Sequence, residues 1–458
     1  MNKPRTIEGR WWIFGAEKDP HFGVLTFDPE DGCQLEIKVP QQVSFEDVIR
    51  QTSDEWKIPV PQRIHGCDKH GAPVVLFGCY CQSHSVSSGL ATYEINAIRT
   101  LLGCTDLAGE SKFDSAYFEY SLLHQWLGRT SIGPGNPDAK CWVTHSPQPE
   151  ISADLGNGTT LTIHAQALPS HSITEFRITE KQQVELKFSE PLAVATIMTR
   201  YAEPFRRMLS LFAGPEVFID ELYFGVRDER RKTEFVELLE PNHGVERADR
   251  KLIFANALVR YGEIEPDFPK IVQRWFQYHE QLDAVLNLYF ATVFNRHLYS
   301  NHEFLFLAQA LEVYHARNPN FTRAERPRAE FRQMVKTILY SVPHPLRRWL
   351  DDKLRYANEK TLAQRLDEIL DRHPSEVPTF IPDRAWFTSK VRHTRNYYTH
   401  YDEELKRKRK IAEDEELFRI ATQMRRSLEI SILKDLGITG GAIQRFINRW
   451  GKVDFVSV

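Results

Sequence analysis

PKIVQRWFQYHEQLDAVLNLYFATVF, residues 269–294, decides how the chain divides. Its apolar residues return every three or four positions, the period of a helix with one buried face. Residues 251–262 and 302–316 carry the same spacing, and the Val, Thr and Gly content of the upstream sequence falls away after LEPNHG (239–244). The spacing predicts helices from there to the end, a bundle of about two hundred residues. Pro319, Pro327, Pro343, Pro345, Pro374, Pro378 and Pro382 mark its breaks, because proline lacks the amide that would continue a helix.

Upstream the punctuation is that of short strands. RWWIF (10–14), GVLTF (23–27) and QLEIKV (34–39) are separated by AEKDPH and DPEDG, whose Asp, Pro and Gly supply turn dihedrals. PVVLFGCYC (73–81), TLTIHAQAL (160–168) and QVELKF (183–188) repeat the alternation. A helical insertion is predicted at 191–213, then strands at 216–226 and 234–240. The fold class is therefore α+β: a β-rich, sandwich-like region over residues 1–245, with a subdomain break near 150–180, followed by an all-α region over 246–458. The 458 residues fit two or three domains, and no low-complexity linker separates them.

At 41% apolar and 26% charged, the composition is that of a globular protein. A formal charge of −3 excludes a chain that coats nucleic acid over its whole surface, so any such contact is a local basic patch. Cys33, Cys67, Cys79, Cys81, Cys104 and Cys141 lack the spacing of a disulfide framework and are read as reduced. Neither a signal-peptide run nor a membrane-spanning segment is present, so the expected location is the cytoplasm, with no membrane partner. Nucleotide-binding loops, the G-x-S-x-G elbow and the H-E-x-x-H helix are all absent.

His65, Cys67, His70, Cys79, Cys81 and His84 fall close together. Cys79 and Cys81 would share one side of a strand and, with Cys67 and a histidine, suit tetrahedral zinc; buried free thiols explain the same residues. No metal or other cofactor is assigned.

VRHTRNYYTHYD (391–402) raises a different question. On a helix over 383–400, Phe387, Val391, Thr394, Tyr398 and Tyr401 fall in one sector and form the expected buried stripe. Arg392, Asn396 and His400 lie opposite, with Arg395 at the edge. Such a polar face makes chemical sense if a second copy packs on it across a two-fold axis. An Arg and a His at a helix C-terminus can also simply complement the macrodipole, a contribution of about 0.3–1 kcal/mol.

Arg395-Asn396-Tyr397-Tyr398-Thr399-His400 resembles the Arg-x4-His motif of the HEPN superfamily. GRWWIFGAEKDPHFGVLTFDPEDG (9–32) is similar to the N-terminal region of ApeA-type proteins, and the segment running from VRHTRNYYTHYD to KDLGI is similar to the end of their HEPN domain. The resemblance implies a metal-independent endoribonuclease of anti-phage defence, its site composed from two HEPN domains of a homodimer or larger homo-oligomer. Transfer RNA is a target by analogy, and a phage-derived trigger is a candidate partner of the β-rich region.

The chemistry suits the residue types. Attack by the 2′-OH of RNA needs proton transfer at two oxygens, which histidine performs near neutral pH. It also needs fixed positive charge on the phosphorane, which the arginine fork supplies. His400 is thus the candidate proton-transfer residue, Arg395 the phosphate clamp, and Asn396 a group that orients either. Arg392 and the run Lys406, Arg407, Lys408, Arg409, Lys410 are candidate RNA contacts. EDEE (413–416) follows immediately, so pairs such as Lys410 with Asp414 would instead make a solvated helix face. RRWLDDKLR (347–355) reads as surface. The competing function is a non-catalytic β-sandwich that binds a ligand or phage component, with a helical dimerisation domain; a carbohydrate-active sandwich is the third.

Overall fold

The computed structural model describes residues 4–13, 20–40, 62–87, 89–103, 112–135, 143–172, 174–227, 233–241, 252–253, 257–295, 297–408 and 410–451. The chain divides into two compact units, Met1–Gln273 and Arg274–Val458.

The first unit is built on one antiparallel sheet. Its first strands are β1 (Arg5–Ile13), β2 (His21–Asp28), β3 (Gly32–Pro40), β4 (Gln62–Asp68), β5 (Pro73–Ser87) and β6 (Leu90–Ala97). These pair in the order β5-β4-β1-β2-β3-β6, and β6 pairs back onto β5. The six strands therefore close into a barrel, where the alternation predicts a sandwich. Closure pairs the edges that an open sheet would leave bare, and strict alternation fits either architecture. Trp11, Leu25, Phe27, Leu35, Ile37, Ile64, Leu76, Tyr93 and Ile95 fill the interior.

Two glycines make the closure possible. A Cβ at Gly66 would lie 2.3 Å from the Trp11 ring, so only glycine leaves that indole its place. Gly78 has φ 65° and bends β5, whose first half pairs with β4 and with β7 (Arg99–Leu102) while its second half pairs with β6. The two cysteines predicted to share a side fall in different surroundings, Cys79 paired with β4 and Cys81 with β6. Cys79 is buried in the barrel interior and Cys81 is exposed.

Beyond β7 the sheet continues through β15 (Thr233–Leu239), β14 (Ile219–Arg227), β8 (Lys112–Tyr120), β13 (Phe176–Ala193), β12 (Thr159–His171) and β11 (Ile151–Gly156). A separate pair joins β9 (Ile132–Pro134) to β10 (Val143–His145). Short α1 (Leu123–Leu127) and the run α2 (Val194–Ile197), π turn (Met198–Ala202), α3 (Glu203–Ala213) pack on the extended part. Tyr120 donates its hydroxyl hydrogen bond to the Ala202 carbonyl at 3.0 Å and packs with its ring tilted against Phe205. The predicted insertion is thus real, but it starts only after β13 has run to Ala193.

The described residues 252–253 and 257–260 do not form the helix that the spacing over 251–262 predicts. Ala257, Leu258 and Val259 are buried in non-helical chain, where the Val259 amide donates to the Phe212 carbonyl and its carbonyl accepts from the Trp126 indole. Their burial follows from docking on the helical layer, and among the described residues of this stretch only those of α4 (Tyr261–Ile264) are helical.

The second unit is helical: α5 (Phe268–Phe294) enters it, followed by α6 (Ser300–Arg317), α7 (Arg328–Ser341), α8 (His344–Leu354), α9 (Leu362–Asp371), α10 (Arg384–His400), α11 (Glu403–Arg407), α12 (Asp414–Asp435) and α13 (Gly441–Gly451). The prolines punctuate as expected, with Pro327 and Pro343 at the N-caps of α7 and α8. Helix α12 forms the buried spine, and Asp435 near its end gathers the hydroxyl of Tyr314, the amide of Asn318 and the guanidinium of Arg372 within 2.8 Å.

Candidate active site

Helix α10 begins where Asp383 caps the Trp386 amide at 2.9 Å and is tied to α9 by Arg384, which meets Asp367 and Asp371. Its buried residues are Phe387, Thr388, Val391, Thr394 and Tyr397. The predicted stripe is correct up to Thr394 and then differs. Tyr397 is buried, Tyr398 is half-buried against Phe304, and Tyr401 is 63% exposed. The helix stops at His400, and Tyr401 takes a left-handed cap conformation, φ 52°, which carries its ring off the helical register. Tyr397 is covered instead by the chain that follows, with the Lys406 ammonium 5.9 Å from its ring centroid.

That returning chain is anchored on α10. The Thr394 hydroxyl accepts from the buried Ala412 amide at 2.8 Å, and the Lys390 ammonium donates to the Ile411 carbonyl and to Glu416. The end of α10 is therefore held from beneath while its polar face stays accessible.

Arg392 and His400 are exposed, and Arg395 and Asn396 are half-buried. Arg395 donates to Glu312 of α6 at 3.3 Å. Asn396 lies one turn before His400, whereas Arg395 and His400 are five positions apart, about 7.5 Å of rise and roughly 140° of rotation. One helix thus presents the guanidinium and the imidazole in different directions. The Arg392 guanidinium lies 3.1 Å from the His393 ring, and burial, then the charges of Arg392, Lys410 and Lys390, depress the His393 pKa.

The basic run does not form one charged helix face. Lys406 pairs with Glu413 at 2.9 Å, which raises its pKa, and Lys408 pairs with Glu404. Lys410 and Asp414 are not an i,i+4 pair, because α11 ends at Arg407 and Asp414 opens α12 with φ 47°. Glu413, Asp414, Glu415 and Glu416 instead crowd the positive end of α12. Arg407 is exposed at the end of α11, and Arg409 lies outside the described residues.

Glu312 is the site residue that motif reading misses. It sits 83 positions from Arg395 in a helix whose periodicity marks its apolar face but not this glutamate, so only the packing of α6 beside α10 brings the two together. Among the described residues no cluster of His, Cys, Asp and Glu is arranged to hold a metal ion. Burial pushes the Cys33 and Cys79 thiols up to about 11 and about 12, so both are unreactive barrel residues; Cys104 and Cys141 lie outside the described residues.

A β-rich unit joined to a helical unit that carries Arg-x4-His at the end of a long helix defines a protein of the HEPN class. Residues 6–275 match the family described as ApeA N-terminal domain 1, and residues 305–441 match Apea-like HEPN. The chain belongs to the ApeA family, with its HEPN domain at the C-terminal end. No curated protein and no solved structure matches it. The two matches support a part in anti-phage defence that involves a HEPN nuclease-type domain. Among the described residues no helix is long and apolar enough to cross a membrane.

Proposed function

We propose that the chain is a metal-independent endoribonuclease of anti-phage defence, acting in the cytoplasm, with HEPN domains of two copies combining into one site. The observation that carries this reading is His400 exposed and Arg395 half-buried against Glu312 in the last turns of α10, within the matched HEPN region. The angle between the two side chains favours a two-copy site, because a second α10 across a two-fold axis supplies the group that the first directs elsewhere.

One His400 takes the proton of a ribose 2′-OH, and the freed oxygen attacks the adjacent phosphorus. His400 of the second copy protonates the departing 5′-oxygen. Arg395 exchanges Glu312 for the phosphate oxygens and holds the charge that builds on them. Asn396, on the face of His400, orients the ring or the phosphate. Arg392, Arg407, Lys410 and the ion-paired Lys406 and Lys408 line the approach. The products are a 2′,3′-cyclic phosphate and a 5′-hydroxyl, with transfer RNA one candidate substrate. The β-rich region, residues 1–245, serves as the sensor that keeps residues 246–458 inactive until a phage-derived trigger arrives, since unrestrained RNA cleavage would kill the host.

Incubating the purified protein with total RNA in EDTA, beside His400→Ala and Arg395→Ala, tests the reading. Cutting by the activated parent alone, and growth arrest on overexpression of the parent alone, are expected. Equal traces from all three, together with equal growth when each is overexpressed, would leave the non-catalytic binding account.

A further inference from the structure

The hairpin of α7 and α8 buries nothing: no residue of Arg328–Ser341 or His344–Leu354 is buried. The two helices pack on each other, and the hairpin is pinned at its base. There Ala324 bridges to Glu359, and Asn358 bonds both the amide and the carbonyl of Arg326. Isolated helices of this length are marginal in water, so a hairpin held this open exposes side chains that suit a partner.

Its charge identifies the partner. In a chain of net charge −3, residues 326–356 hold eight lysines and arginines against three acids. Arg328, Arg332 and Lys336 stand four residues apart and form one exposed row along α7. Among the described residues their side chains make no hydrogen bond or ion pair, and neither does that of Arg348 on α8. The basic run after α10 differs, since Lys406 and Lys408 are already paired with glutamates. The hairpin also exposes large aromatic rings: Tyr340, four residues beyond Lys336 on α7, is 85% exposed, Trp349 on α8 60%, and Tyr356 just after α8 68%.

We infer that the α7–α8 hairpin is a docking surface for single-stranded RNA, an inference that rests on the ribonuclease reading above. The cation row follows the phosphates while Tyr340, Trp349 and Tyr356 offer π faces to unpaired bases. A second copy of the same hairpin is the poorer occupant, because it would bring two cationic surfaces together.

The test uses the full chain carrying His400→Ala, so that bound RNA stays uncut, and a fluorescein-labelled single-stranded RNA of about twenty nucleotides. Anisotropy is followed across salt concentration. Replacing Arg328, Arg332 and Lys336 together by Gln is expected to weaken binding roughly tenfold near 0.1 M salt and to flatten the log–log salt slope by about 2. Tyr340→Ala with Trp349→Ala is expected to weaken binding about fivefold or more with the slope unchanged. Unchanged affinity in both variants, with melting temperatures also unchanged, overturns the inference. So does a fall in molecular mass without loss of RNA binding, which would make the hairpin a contact between copies. Failure of the ribonuclease reading shows separately, as an activated parent protein that leaves RNA whole.

Discussion

Arg395 reaches Glu312 at 3.3 Å, longer than the roughly 2.7–2.9 Å of a tight charge-assisted bond, and both side chains are about a third exposed. Such a pair contributes at most about 1 kcal/mol to stability and exchanges readily for a phosphate. Arg395→Lys keeps the charge and loses the planar fork, so cleavage is expected to fall about a hundredfold or more while the melting temperature stays within a degree or two of the parent. Activity close to the parent's would show that charge alone is needed at this position. The Arg-x4-His spacing was legible in the sequence because it is local; Glu312 was not, because nothing near it in sequence marks it as a partner of α10.

Helix α10 depends on what crosses beneath it. The Ala412 amide is fully buried, and the Thr394 hydroxyl is its partner. Thr394→Val has the same shape but leaves that donor unpaired, and chemical denaturation is expected to show a loss of about 1–3 kcal/mol. A cost near zero would show that Ala412 finds another acceptor. The existence of this helix and its first three turns were readable from periodicity. Which tyrosine lies inside was not, since the choice between Tyr397 and Tyr398 turns on the cap at Tyr401 and on the returning chain at Lys406.

Across the molecule, strands were legible where alternation was clean, and the prolines of the helical half stand at the predicted breaks. Barrel closure was not legible, because it depends on β5 serving β4, β6 and β7 in turn, a choice made by the bend at Gly78 and not by hydropathy. The bundle also stores a pH dependence. His373 is buried with its ring against the Ser431 hydroxyl, and burial, then the charges of Lys434 and Arg372, lower its pKa from 6.5 to about 4. Its contribution to stability is complete above pH 6.5 and is lost as pH falls toward 4, because the unfolded chain binds a proton that the folded one refuses. The loss amounts to roughly 3 kcal/mol. His373→Gln, which can keep the Ser431 contact without titrating, should therefore melt with a shallower pH dependence over that window; parallel curves would remove His373 as the cause.

The central claim concerns how the phosphodiester is broken, and the ends left on the RNA report it most directly. After incubation with the activated protein in EDTA, mass spectrometry of the fragments is expected to show 2′,3′-cyclic phosphates facing 5′-hydroxyls, absent with His400→Ala. Fragments bearing 5′-phosphates, or cyclic ends formed equally by His400→Ala, would contradict it.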